Sequence, residues 1–342
     1  LIHDGMIGII LITIGNGGNR MKKLAFLLLL PLMMSIIACA ETPTYDIYVT
    51  VYPLQFITEE IVKGTSIEVG IVPGVSSHQD SVDWAPKEII AMTQATYLFY
   101  VGANYDPYID FQIESIFQNR NAELVKIEDQ TDYITFIPGI VDVHDDDATL
   151  SDDVTTNSIG MDPHFWISPE KMIDVSKLVF DKLLLKYPDI DTLLEVNYNN
   201  LVARLQALSD DFTNVITQQE KIALFSTNLY GYLREDYGLE YISISPGYHE
   251  ETEQFTTAEK EEIVSEIMLH NIQVVIFELY TTSPLSNAVF TELNTLGVNP
   301  IKKEYNILQS LSDDERNTGE DYISKMQDNL DILRLALGLT EE

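Results

Sequence analysis

The chain has 342 residues, 45% of them hydrophobic, and sets 54 acidic side chains against 20 basic ones for a formal charge of −34. A surface this acidic repels phosphate backbones, which excludes a nucleic-acid partner, and it favours cations. The single cysteine, Cys39, excludes an internal disulfide and any cysteine-based zinc site, so a metal would have to be held by His, Asp and Glu.

In chain order, Leu1–Arg20 precedes Met21, shows no core-forming period, and is read as an upstream extension outside the fold. Met21–Cys39 has the layout of a signal peptide: Lys22 and Lys23, an apolar run over Leu24–Met34, then Ile36-Ile37-Ala38-Cys39. A hydrocarbon span needs about 20 apolar residues, and this run is shorter and contains Pro31. The Ile-Ile-Ala-Cys stretch resembles the lipobox of bacterial lipoproteins, whose cysteine is lipidated and becomes the mature N-terminus. That resemblance implies lipidation at Cys39 and a protein held outside the cytoplasmic membrane by its N-terminal lipid alone.

The rest of the chain, about 300 residues, is long for one core and suits two lobes. Ile47–Tyr52 is a β-branched and aromatic run ending at Pro53 and is predicted to be a buried strand. Helix follows over Phe56–Lys63, strand over Ile67–Pro73, helix over Ala85–Met92, and strands over Tyr97–Val101 and Leu124–Ile127. Asp129–Gly160 has no apolar period and holds Asp142, His144, Asp145, Asp146, Asp147, Asp152 and Asp153, which predicts a mobile acidic loop. From Pro169 the helical period is strong, with Met172, Val175, Leu178, Val179, Leu183 and Leu184 on one face. Pro188 interrupts it, and a second helix continues through Leu193, Val196, Leu201, Leu205 and Leu208.

The alternation then restarts. Strand Ile222–Phe225, helix Leu229–Tyr237 closed by Gly238, strand Tyr241–Ile244, helix Glu259–Leu269, strand Val274–Phe277 and helix Leu285–Leu296 lead to a final helix, Tyr322–Leu337. The expected fold class is α/β: two lobes, each a mostly parallel sheet flanked by helices. The lobes are expected at 44–168 and 189–342, joined by a long rigid linker helix over 169–188.

Five histidines follow the signal segment: His78, His144, His164, His249 and His270. His78 comes just after a predicted strand, and His164 lies in Met161-Asp162-Pro163-His164-Phe165-Trp166, just before the long helix. Glu278 ends the apolar strand Val274-Val275-Ile276-Phe277. In open α/β sheets, ligands gather beyond the carboxyl ends of strands. Two imidazoles and a carboxylate are a partial shell for zinc or a similar divalent ion. Taken singly, each histidine is more often a loop or hydrogen-bonded core residue, and no His-Glu-x-x-His spacing links them. His270 falls at a helix C-terminus, where it interacts with the helix end.

Several ordered motifs together resemble the zinc/manganese solute-binding lipoproteins of bacterial ABC importers (the cluster A-I binding proteins). They are Val51-Tyr52-Pro53-Leu54, Ser77-His78 with Trp84-Ala85-Pro86, Asp162-Pro163-His164-Phe165-Trp166-Ile167-Ser168-Pro169, Tyr230-Gly231-Tyr232-Leu233, Phe277-Glu278 and Gly319-Glu320-Asp321-Tyr322-Ile323. The likeness covers Tyr45–Leu339. It implies His78, His164 and Glu278 as metal ligands in a cleft between the lobes, with Zn(II) the expected ion and Mn(II) second. It also implies a monomeric, non-enzymatic receptor that hands the ion to a membrane permease driven by a cytoplasmic ATPase.

Two positions depart from the pattern. The family's third ligand falls at Thr227, and an acid found in manganese binders falls at Asn306. Three outcomes stay open: water completes the shell, His249 in Pro246-Gly247-Tyr248-His249-Glu250-Glu251 swings in as a fourth donor, or the site has lost metal and serves another solute. The acidic tract 142–153 with His144 falls where zinc binders carry a His-rich loop. A zinc-dependent surface hydrolase using the same three residues, and an adhesin or receptor of the same fold, are the competing functions. Affinity for metal is expected to fall in acid, because imidazole ligates as the neutral base.

Overall fold

The computed structural model describes residues 44–74, 82–140, 160–249 and 256–339. Among the described residues, eight parallel strands form two four-stranded sheets. The first comprises β1 (Ile47–Val49), β2 (Val69–Ile71), β3 (Tyr97–Tyr100) and β4 (Glu123–Lys126), in the order β2-β1-β3-β4. The second comprises β5 (Ala223–Phe225), β6 (Tyr241–Ser243), β7 (Val274–Glu278) and β8 (Ile301–Tyr305), in the order β6-β5-β7-β8. The two orders are equivalent, and each reverses direction between its two inner strands. That reversal opens a crevice at the carboxyl ends of β1 and β3 in one lobe and of β5 and β7 in the other.

The inner strands are buried on both faces, which is why they read as unbroken apolar runs. Their side chains alternate between two cores. Ile47, Val49, Tyr97 and Phe99 enter a large core shared by both lobes, whereas Tyr48, Leu98 and Tyr100 face an outer cluster with Met92 and Trp84. In the second lobe, Phe225 and Ile276 enter the shared core, while Leu224, Val275 and Phe277 form an outer cluster with Val289 and Leu293.

Among the described residues, eight longer helices cover the sheets: α1 (Tyr52–Val62), α2 (Pro86–Gln94), α3 (Pro169–Lys186), α4 (Asp191–Ile216), α5 (Gly231–Tyr237), α6 (Thr257–Leu269), α7 (Pro284–Thr295) and α8 (Tyr322–Ala336). Short helical turns occur at Pro107–Asp110 and Asp313–Asn317. The α3 N-terminus is capped by Ser168, whose hydroxyl accepts from Lys171 N, with Pro169 in the first turn. Pro188 breaks the helix as expected, because the residue before a proline leaves the helical region. The chain then returns as α4. Arg204 on α4 pairs with Glu60 of α1 and with Asp321 at the start of α8, so one helix touches both lobes.

Four expectations are corrected. Pro53 opens a helix rather than closing a strand: α1 begins at Tyr52, four residues before the expected start, because proline presets the first-turn dihedral and needs no donor there. The buried face of α4 includes Leu194, Leu201, Leu205, Leu208 and Phe212, whereas Leu193 is 37% and Val196 52% exposed. Strand β8 was not expected at all. Residues 129–140, assigned to a mobile loop, are packed: Ile134 and Phe136 are buried, Pro138 bridges Met161, and Gly139 N donates to Gly160 O at 2.7 Å. The acidic tract 142–153, with His144, lies outside the described residues, as do Cys39 and the whole segment before Thr44.

Candidate metal centre

Glu278 is the last residue of β7 and sits at the second-lobe crevice, 3% exposed. Three donors from the turn after β5 hold its carboxylate. Ser226 Oγ donates to Oε2, Tyr230 OH donates to Oε1 at 3.1 Å, and Thr227 N donates to Oε1 at 3.3 Å. Burial raises the Glu278 pKa above the usual carboxylate value, and these hydrogen bonds oppose the rise. Among the described residues no basic side chain pairs with it. Thr227 is 4% exposed, and its hydroxyl has no hydrogen-bond partner among the described residues.

His164 is 1% exposed and belongs to the segment that leads into α3. Its Nδ1 lies 2.9 Å from Asp162 Oδ1, which also accepts from the His164 backbone N at 2.9 Å. A carboxylate only accepts, so Nδ1 carries a proton toward it and Nε2 is the ring nitrogen turned away from the pair. That pairing is the usual way a ligating imidazole is oriented and made more basic. Among the described residues, three aromatic rings lie against the imidazole: Tyr248 at 4.7 Å between centroids, Trp166 at 5.4 Å and Tyr105 at 6.1 Å. Gly231 permits this arrangement, since a Cβ there would lie 3.2 Å from Asp162 Oδ2 and 2.9 Å from Ile137.

The two halves meet through loops. Tyr248, which packs edge-on against His164, belongs to the turn after β6; Gly247 O accepts from Asn228 N at 2.9 Å, and Ser245 N donates to Ser226 O at 2.8 Å. The same Ser226 and the neighbouring Thr227 hold Glu278. His249 is half-buried beside Tyr248, and its carbonyl accepts from Ser245 Oγ at 2.8 Å. Asn306 follows β8 with its side-chain oxygen accepting from Leu308 N at 2.8 Å, which occupies it in a local turn. His78 lies outside the described residues. Among the described residues no three His, Cys, Asp or Glu side chains form a ready-made metal cluster. His164 and Glu278 were singled out from the sequence, whereas the supporting roles of Asp162, Ser226, Tyr230 and Tyr248 were not. An aspartate two residues before the histidine was the one available signal.

Residues 47–336 match the model of the family described as zinc-uptake complex component A, periplasmic (ZnuA). The chain belongs to this family. Among relatives, the zinc-binding lipoprotein AdcA of Streptococcus pneumoniae serotype 4 is 24% identical over 321 residues, covering 92% of this chain and 61% of AdcA. The chain therefore spans less than two thirds of that relative's length. The high-affinity zinc uptake system protein ZnuA of Bacillus subtilis is 26% identical over 293 residues, covering 84% of this chain and 86% of that protein. The crystal structure of the Zn(II)-bound ZnuA-like domain of S. pneumoniae AdcA superposes with a TM-score of 0.66 at 21% identity, covering 86% of this chain and 99% of the domain. At that identity the superposition establishes the shared two-lobe fold. Of these two relatives of this ZnuA-family chain, AdcA is named for zinc binding and the B. subtilis protein for zinc uptake.

Proposed function

We propose that this protein is an extracytoplasmic solute-binding lipoprotein that captures Zn(II), with Mn(II) second, and delivers it to an ABC permease and its ATPase. The ion is cargo, not a catalytic group. His164 from the first lobe and Glu278 from the second are the ligands proposed among the described residues; His78 is the third, and His249 the candidate fourth. The observation that carries this reading is Glu278, a nearly fully buried carboxylate at a strand end with three hydrogen-bond donors and no cation beside it among the described residues. An isolated buried charge is costly, and a divalent ion removes that cost. The Asp162–His164 pair supports the same reading, since a carboxylate on Nδ1 fixes the ring's orientation and leaves Nε2 as the atom to ligate. Cys39 is proposed as the site of the lipid anchor, with the protein working as a monomer and the lobes moving little against one another.

The test is zinc content and competitive titration of the signal-free protein beside His78→Ala, His164→Ala, His249→Ala and Asp162→Asn. The first two changes are expected to abolish tight binding, and Asp162→Asn to weaken it roughly 10- to 100-fold. Unchanged affinity in both His78→Ala and His164→Ala would sink the site assignment. A loss in His249→Ala identifies the fourth donor, and silence there leaves the position to water.

A further inference from the structure

The far end of the second-lobe sheet carries a separate feature. A cavity of about 650 Å³ opens where the start of β7 and β8 meets the last turns of α8, and Lys221, Lys303 and Arg334 line it. Glu278 is at the opposite end of β7, about 13 Å away along a strand that rises ~3.3 Å per residue, so this cavity is distinct from the metal centre.

Its walls follow from the strand pattern. Ile301, Lys303 and Tyr305 alternate onto the face of β8 that looks toward α8, and Tyr305 is buried in the shared core. β8 is an edge strand, and its first residues run out from under the helix. Ile301 is left 48% exposed, facing Leu335 of α8 at 40%. Lys221 enters from the other side, with its aliphatic stem within 3.1–3.2 Å of where a Cβ on Gly338 would stand.

The charge pattern is unusual for this chain. Basic side chains elsewhere are mostly engaged by acids: Lys126 with Asp110 and Glu128, Lys171 with Asp236, Lys325 with Glu315, Glu320 and Asp328. In a chain of charge −34, acids to pair with are abundant. Yet among the described residues Lys221, Lys303 and Arg334 form no ion pair, and Asp331, which also lines the cavity, bonds to none of them. Arg334 and Lys221 near the end of α8 complement its dipole, but Lys303 lies in mid-strand and has no such role. Three cationic side chains against one carboxylate leave the concavity net positive, which favours an anion.

We infer that this cavity binds a small organic anion, with its charged end between Lys221, Lys303 and Arg334 and its apolar body against Ile301 and Leu335. The volume is that of a small-molecule pocket, and the lining combines apolar side chains with three basic ones. The guanidinium supplies a planar fork for a carboxylate, and the ammonium groups supply point charges.

The probe is radiolabelled benzoate, with benzamide as its neutral counterpart, in equilibrium dialysis against the full chain in neutral detergent and a protein-free micelle control. The expected result is saturable benzoate binding, weakened at least about tenfold in Lys303→Gln and in Arg334→Gln, with benzamide weaker by a similar factor. Both variants are expected to melt as the wild type does, and wild-type binding to weaken as salt is raised. The proposal fails if the wild type does not bind benzoate, if the variants bind it equally well, or if benzamide binds as tightly. Displacement of benzoate by phosphatidylglycerol vesicles would assign the cavity to a lipid headgroup and overturn it too.

Discussion

Asp106 shows how burial tunes a single carboxyl near the first-lobe crevice. It is 1% exposed and accepts from Thr50 Oγ1 at 2.6 Å, Val101 N at 2.8 Å and Gly102 N at 2.9 Å, tying the ends of β1 and β3 together. Burial outweighs these donors and pushes its pKa up to about 6 from 3.8. A raised value means that the folded protein holds a proton which the unfolded chain has lost between those two pH values. Stability from this group is therefore full below pH 4 and falls by about 3 kcal/mol as pH rises through 6. Asp106→Asn is expected to remove that slope from urea-unfolding free energies measured between pH 4 and pH 7. An unchanged slope would show that Asp106 ionises normally.

At the same scale, the sequence singles out His164, just before the long helix, and Glu278, at the end of an apolar strand, and the structure buries both. Asp162 as the imidazole's orienting partner, and Ser226 and Tyr230 as donors to Glu278, are products of tertiary closure. Tyr230 lies 48 residues from Glu278 in sequence, and no spacing rule joins them.

Elements were legible where the hydrophobic period was long. The α3–α4 pair follows from apolar residues recurring every three to four positions, and its break follows from Pro188. The phase within α4 was harder, because Leu193 and Leu194 both suit a helical face and packing chooses the second. The consequence is measurable. Leu205→Ala is expected to cost about 2–5 kcal/mol in chemical denaturation, as for a fully buried leucine. Val196→Ala, at an exposed position, is expected to stay within about 0.5 kcal/mol. Equal losses would place the buried stripe wrongly.

Strand β8 escaped because Ile-Lys-Lys-Glu-Tyr buries only Tyr305, as an edge strand can. Pro53 misled for a different reason. The same ring ends a strand or begins a helix, and the residues around it do not decide between the two.

For the whole molecule, the alternation of strands and helices predicted two parallel sheets, but it could not give the equivalent strand orders that put both crevices at reversal points. The net charge acts at this scale as well. Self-repulsion of −34 weakens the compact state, and salt screens it. Raising sodium chloride from about 10 mM to about 300 mM shortens the Debye length from ~30 Å to below 10 Å, and the melting temperature of the metal-free protein is expected to rise. A fall would mean that the cross-lobe ion pairs of Arg204 outweigh the general repulsion.

Trp166, two residues after His164, donates its indole N–H to Ile307 O at 2.9 Å, and its own carbonyl accepts from Tyr322 OH at 2.7 Å. The peptide that bears the first-lobe imidazole is thus bolted to the second lobe's frame. Hybrids made by splicing the front half of one relative onto the back half of another would inherit mismatched bolts. In such proteins ion capture should be lost even where every coordinating side chain has been preserved.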